Sequence, residues 1–138
     1  MNAHDFAELM HQLARGWSTQ DTELALACFT ADAVYIEPPD IQHFAGQQQL
    51  RAYFGALQPG TSMIFHHLWF DEASQSGVGE FSFSIWGREQ ANHGVCVVEL
   101  NEGKVAHWRE YQRRGPFEHR DFIATAGKDW QWHIENYS

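Results

Sequence analysis

The chain has 138 residues, with 18 acidic against 9 basic side chains and a formal net charge of −9. That length suits one domain with a core of its own. The acidity and the lack of a basic stripe exclude nucleic acid and anionic membrane surfaces as partners, since both are held by Lys and Arg.

The start, Met1-Asn2-Ala3-His4-Asp5, carries neither a basic n-region nor an apolar h-region, so no signal peptide is expected. No apolar run approaches the roughly 20 residues of a membrane helix. Cys28 and Cys96 lie in apolar surroundings and form no metal pattern. They read as reduced core thiols of a cytoplasmic protein. The chain also holds 6 Trp, 10 Phe and 4 Tyr, enough aromatic surface to fill a core and line an apolar pocket.

Phe6, Leu9, Met10, Leu13 and Trp17 recur at helical spacing and predict a first helix whose end Gly16 weakens. Ser18-Thr19-Gln20-Asp21 is a joint with capping residues. A short second helix follows, with Leu24, Ala25, Cys28 and Phe29 on one face. Ala33-Val34-Tyr35-Ile36-Glu37 reads as a strand stopped by Pro38-Pro39, because proline cannot donate to a ladder. Asp40 to Ala45 reads as a loop. Gly46 opens a third helix that presents Leu50, Tyr53, Phe54 and Leu57, and Gln58-Pro59-Gly60 ends it.

From Thr61 the period becomes that of strands. Four runs, Ser62 to Phe70, Glu80 to Trp86, Gly94 to Leu100 and Val105 to Gln112, are separated by short turn-rich segments. They predict an antiparallel meander to which the early strand adds at an edge. The expected fold is α+β, with three helices packed on a strongly curved antiparallel sheet. One domain spans 1–138, with its core at about 5–114 and an aromatic extension at 115–138. In that extension Trp130 and Trp132 are expected to be buried.

Two phrases then resemble a known family. Phe29-Thr30-Ala31-Asp32-Ala33-Val34-Tyr35-Ile36-Glu37-Pro38 and Gly103-Lys104-Val105-Ala106-His107-Trp108-Arg109-Glu110-Tyr111, with the Gly46 helix start, are similar to SnoaL-like proteins of the nuclear-transport-factor-two-like superfamily. The resemblance implies a cone-shaped α+β barrel and a homodimer paired through the outer sheet face, near Trp86. It implies no single activity, because that superfamily holds isomerases, polyketide cyclases, epoxide hydrolases, dehydratases and non-catalytic members.

Three residues are candidates for chemistry. Glu37 ends the first strand on the face of Tyr35, and it matches the position where ketosteroid isomerases carry their general-base Asp before a Pro. The alternative is an exposed strand-end acid. His93 falls near the oxyanion-side acid of those enzymes, where an imidazole could donate to developing charge. The alternative is a hairpin-end His in water. Glu110 shares a face with Ala106, Trp108 and Gln112 and would be buried, needing a partner or a raised pKa. The alternative is a cross-sheet ion pair with an Arg.

Trp17, Tyr35, Phe54 and Trp108 are expected to wall the pocket. The middle strand, Glu80-Phe81-Ser82-Phe83, lacks the Arg-x-Asp pair of the epoxide-hydrolase branch, and the first helix lacks the oxyanion Tyr of steroid isomerases. No cofactor is expected. No metal is expected either. His66 and His67 are adjacent and on a strand point to opposite faces, so a site would need distant strands. The combined expectation is a pocket for a small apolar molecule. It either moves a proton on a carbonyl compound or binds its ligand, or serves as a dimeric scaffold, without chemistry.

Overall fold

The computed structural model of the protein describes residues 1–124. Helix α1 (Ala3–Ser18) starts at Asn2, whose side chain accepts from the Asp5 N–H. Helix α2 (Thr22–Leu26) starts at Asp21, which accepts from Leu24 N–H. Gly16 has a packing role beyond ending α1. A Cβ there would lie 2.7 Å from the backbone nitrogen of Ala25, so only glycine lets α2 fold back this closely.

Strand β1 (Phe29–Glu37) leads through a turn to β2 (Gln42–Ala45), then to α3 (Gly46–Gly55). The meander follows as β3 (Thr61–Asp71), β4 (Ser76–Ile85), β5 (Ala91–Asn101) and β6 (Lys104–Gly115). A short helix, α4 (His119–Ile123), comes last among the described residues. The β5–β6 turn has positive φ at both Glu102 and Gly103, as a two-residue hairpin that follows the strands' twist demands.

The sheet order is β2-β1-β6-β5-β4-β3. The meander is antiparallel as expected, but the sheet is mixed, because β1 runs parallel to β6. The early strand adds at the meander's edge, beside β6, as expected, but it is not the outermost strand of the sheet. The edge belongs to β2, in the stretch expected to be a loop, which pairs antiparallel with β1. The sheet stays open and does not close as a barrel.

Helices α1, α2 and α3 cover one face. Phe6, Met10, Leu13 and Trp17 of α1 and Leu50 and Phe54 of α3 are buried against Phe29, Tyr35, Phe81 and Trp108 of the sheet. Tyr35 and Trp108 stack with centroids 5.4 Å apart. Both cysteines are buried and free, and burial pushes the Cys28 thiol up to about 11. Among the described residues, no helix is long and apolar enough to cross a membrane. Trp130 and Trp132 lie outside the described residues.

Candidate active site

The meander's register decides which side chains meet. Phe81 opposes Gly94, Gly94 opposes Gln112, and Cys96 opposes Glu110. This row faces the helices. Trp108, Glu110 and Gln112 alternate inward along β6, and Tyr35 and Glu37 do so along neighbouring β1. A cavity of about 50 Å³ lies between them and the helices. Its polar wall is Glu37, Tyr53, Asn92, Glu110 and Gln112, and its apolar wall includes Trp17, Tyr35, Met63 and Phe83.

The two carboxyl groups share one network. Glu110 is 6% exposed and accepts hydrogen bonds from Trp108 Nε1 at 3.0 Å and Tyr35 OH at 3.4 Å. Tyr53 OH donates to Glu37 at 2.8 Å. The amide of Gln112 reaches both acids, at 3.4 Å each. Burial, reinforced by the neighbouring Glu37 carboxylate, pushes the Glu110 carboxyl well above the ordinary carboxylate range, against the donors that favour its charge. Burial also pushes Tyr35 and Tyr53 up, so both hydroxyls keep their protons and act as donors. The buried indole N–H of Trp17 has no hydrogen-bond partner among the described residues.

Glu37, Glu110, Trp17 and Tyr35 thus meet at one cavity. Phe54 and Trp108 stand behind that wall, fully buried, where Trp17 packs edge-on against them at 5.5 and 5.6 Å. His93 does not join the group. It pairs with Ser82, one residue out of phase with the inward row, so its side chain lies on the outer face of the sheet. There its ring contacts Ser82 Oγ at 2.7 Å and the Phe117 carbonyl at 2.6 Å. Asn92, its neighbour in sequence, faces the cavity instead.

Tyr53, Asn92 and Gln112 were missed as site residues. A signal existed for two of them. Tyr53 sits on an otherwise apolar helix face and Gln112 lies two residues beyond Glu110, so each brings a polar group that burial obliges to find a partner. Asn92 gave none, because it sits where a turn was expected.

Helices on one face of an open, curved, mixed sheet define the nuclear-transport-factor-two-like fold. The model of the SnoaL-like domain matches residues 10–108, and the chain belongs to that family. Solved structures agree on the fold. An NTF-2 like protein of unknown function from Burkholderia xenovorans LB400 is 19% identical with a TM-score of 0.71, covering 91% of this chain and 97% of its own. A candidate ketosteroid isomerase from Kribbella flavida DSM 17836 is 15% identical with a TM-score of 0.69, covering 92% and 93%. An epoxide hydrolase of the LEH-like type from M. tuberculosis is 15% identical with a TM-score of 0.67, covering 80% and 84%. No curated protein matches the sequence.

Proposed function

We propose that this protein is an acid–base catalyst of the isomerase or cyclase type, moving a proton on a small, largely apolar carbonyl compound. The observation that carries the reading is the pair of unlike carboxyl groups in one cavity. Glu110 is buried, which raises its carboxyl well above the ordinary carboxylate range, and Glu37 sits beside it, half-buried. Two acids held in different environments are how one site supplies both an acid and a base. Glu37 would take the proton from the carbon next to the carbonyl. The Glu110 carboxyl and the unpartnered Trp17 N–H would donate to the carbonyl oxygen as negative charge develops on it. Trp17 stands on α1, where the family's steroid isomerases use a Tyr, so an indole donor would replace a phenol. Tyr53 and Gln112 fix the base.

The cavity volume favours a second reading. About 50 Å³ holds a few water molecules, far below the roughly 300–1,000 Å³ of drug-sized ligand pockets. Either the substrate is a few heavy atoms in size, or Tyr53 and Leu57 must swing outward, or the carboxyl pair is a structural network in a non-catalytic protein. Deuterium exchange separates these. The wild-type protein in D2O should accelerate α-proton exchange of small ketones and β-diketones, followed by NMR. Glu37→Gln should lower that rate on the order of a hundredfold. No exchange above buffer across such a panel would leave the non-catalytic reading standing.

The assembly follows the same resemblance. We infer a homodimer through the outer sheet face, supported by Trp86 at 89% exposure and by the exposed rings of Trp69 and Tyr111.

A further inference from the structure

The outer face carries a second cluster, unrelated to the cavity. Strand β3 is irregular between Phe65 and His67. Phe65 opposes Phe81, His67 opposes Glu80, and His66 is the extra residue of a β-bulge. The bulge cancels the alternation expected of two adjacent residues. His66 and His67 both face outward, reaching Ser82 and Glu80, which share one face of β4. Helix α4 then brings His119 over the same spot.

We propose that His67, Glu80 and His119 form a binding site for a divalent transition-metal ion of the zinc type. The three ligand atoms lie within 4.8 Å of one another. His67 Nδ1 is 2.6 Å from one Glu80 oxygen and His119 Nε2 is 3.3 Å from the other. His119 Nε2 is buried and, apart from the Glu80 oxygen at 3.3 Å, has no polar partner among the described residues. A metal ion between the three would use that nitrogen, His67 Nδ1 and one Glu80 carboxylate oxygen.

The rings are also held from behind. His66 stacks on His119 with centroids 3.6 Å apart and planes 4° from parallel. His66 Nε2 contacts Ser82 Oγ at 2.7 Å, and Ser82 in turn contacts His93. Such outer partners fix ligand orientation in metal sites. This gives His93 a place as well, as a positioning residue.

Two imidazoles and one carboxylate suit Zn²⁺, Co²⁺, Ni²⁺ or Cu²⁺, whereas Mg²⁺ and Ca²⁺ prefer all-oxygen sets. Three protein ligands leave a coordination position open. A cleft of about 210 Å³ adjoins Glu80 and His119 and is lined further by His93, Tyr111 and Phe122. The ordinary alternative is a cross-strand His–Glu hydrogen bond with a helix resting on it. The metal would instead clip α4 to the sheet.

The test uses full-length, untagged protein stripped with a chelator. Calorimetric titration with ZnCl₂ should give one ion per chain, and Co²⁺ should develop visible absorption characteristic of a low-coordinate site. Mg²⁺ should give no heat. His67→Asn, Glu80→Gln and His119→Asn should each weaken Zn²⁺ binding at least tenfold, while His43→Asn, on exposed β2, should leave it unchanged. His67 is 54% exposed at its side chain, so its variant should fold normally by circular dichroism. An absence of saturable Zn²⁺ binding would overturn the site. Saturable binding untouched by His67→Asn and His119→Asn would overturn it too, since the ion would then sit on other histidines.

Discussion

Replacing Glu110 by Gln should change how stability depends on pH. Glu110 has a raised pKa because it is buried beside Glu37. Below its ordinary value of 4.5 the group is protonated in both folded and unfolded chains and costs nothing in charge burial. As pH rises through 4.5, the unfolded chain ionises while the folded chain still holds its proton. Stability conferred by the buried neutral acid is therefore full below 4.5 and is lost as pH climbs toward the folded value. One proton sets the slope, at most about 1.4 kcal/mol per pH unit.

Gln keeps the shape and an oxygen that can accept from Trp108 Nε1 and Tyr35 OH. It stands in for the protonated acid at every pH. Urea unfolding of both proteins from pH 4.5 to 8 should give a difference that grows with pH in favour of Glu110→Gln, on top of a constant offset of about 1 kcal/mol for altered hydrogen bonds. Acids remote from the Glu37–Glu110 pair titrate in both proteins and cancel. A difference that is flat from pH 4.5 to 8 would mean that Glu110 ionises normally, and the acid half of the proposed pair would fail.

Two further tests address packing and assembly. At Gly94, on the inward row of β5, a Cβ would lie 2.1 Å from the Tyr111 carbonyl oxygen and 2.8 Å from Gln112 Cα, so Gly94→Ala should cost about 2–4 kcal/mol by thermal or urea melting, and an unchanged midpoint would contradict the close strand approach. Trp86→Arg should weaken self-association in sedimentation at micromolar concentration, and a wild-type protein that sediments as a monomer there would refute the dimer.

Much of this was legible because periodicity is a strong signal where it is regular. The α1 stripe, the β3–β6 meander and the shared face of Glu110 and Gln112 all follow from spacings of 3.6 or 2. Each miss has a local cause. Strand β2 is four residues long with only Phe44 apolar among bulky candidates, too short to display a period. The parallel pairing of β1 with β6 is set by the crossing of α3 and the meander, which no local pattern encodes. His93 was sent to the wrong face because the strand was started at Gly94 with no anchor for its phase. The inward position falls on Gly94 and Asn92, which lack the apolar side chains that reveal a face. A one-residue slip moves every side chain across the sheet.

The same physics separates the two chemistries on β4 and β5. Asn92 and Phe81 face a cavity with two acids, and Ser82 and His93 face outward, one pleat away, among imidazoles. Alternation alone would have split His66 from His67 and left Glu80 with one ring. The single inserted residue at the β3 bulge puts both on the outer face, and Phe65 and Leu68 on either side still turn inward to the core. A bulge is a costly interruption of a ladder in a strand that could otherwise pair regularly. Here it keeps the core row in phase and also gathers four histidines, His66, His67, His93 and His119, around Glu80 and Ser82. Deleting His66 would restore regular pairing. Phe65 would stay opposite Phe81 and His67 opposite Glu80, so the three ligands keep their places and only the ring that stacks on His119 is lost. Zn²⁺ binding should therefore survive that deletion, weakened by loss of the stack on His119, and its complete loss in protein that still folds would show that the bulge holds the site and not the three ligands alone.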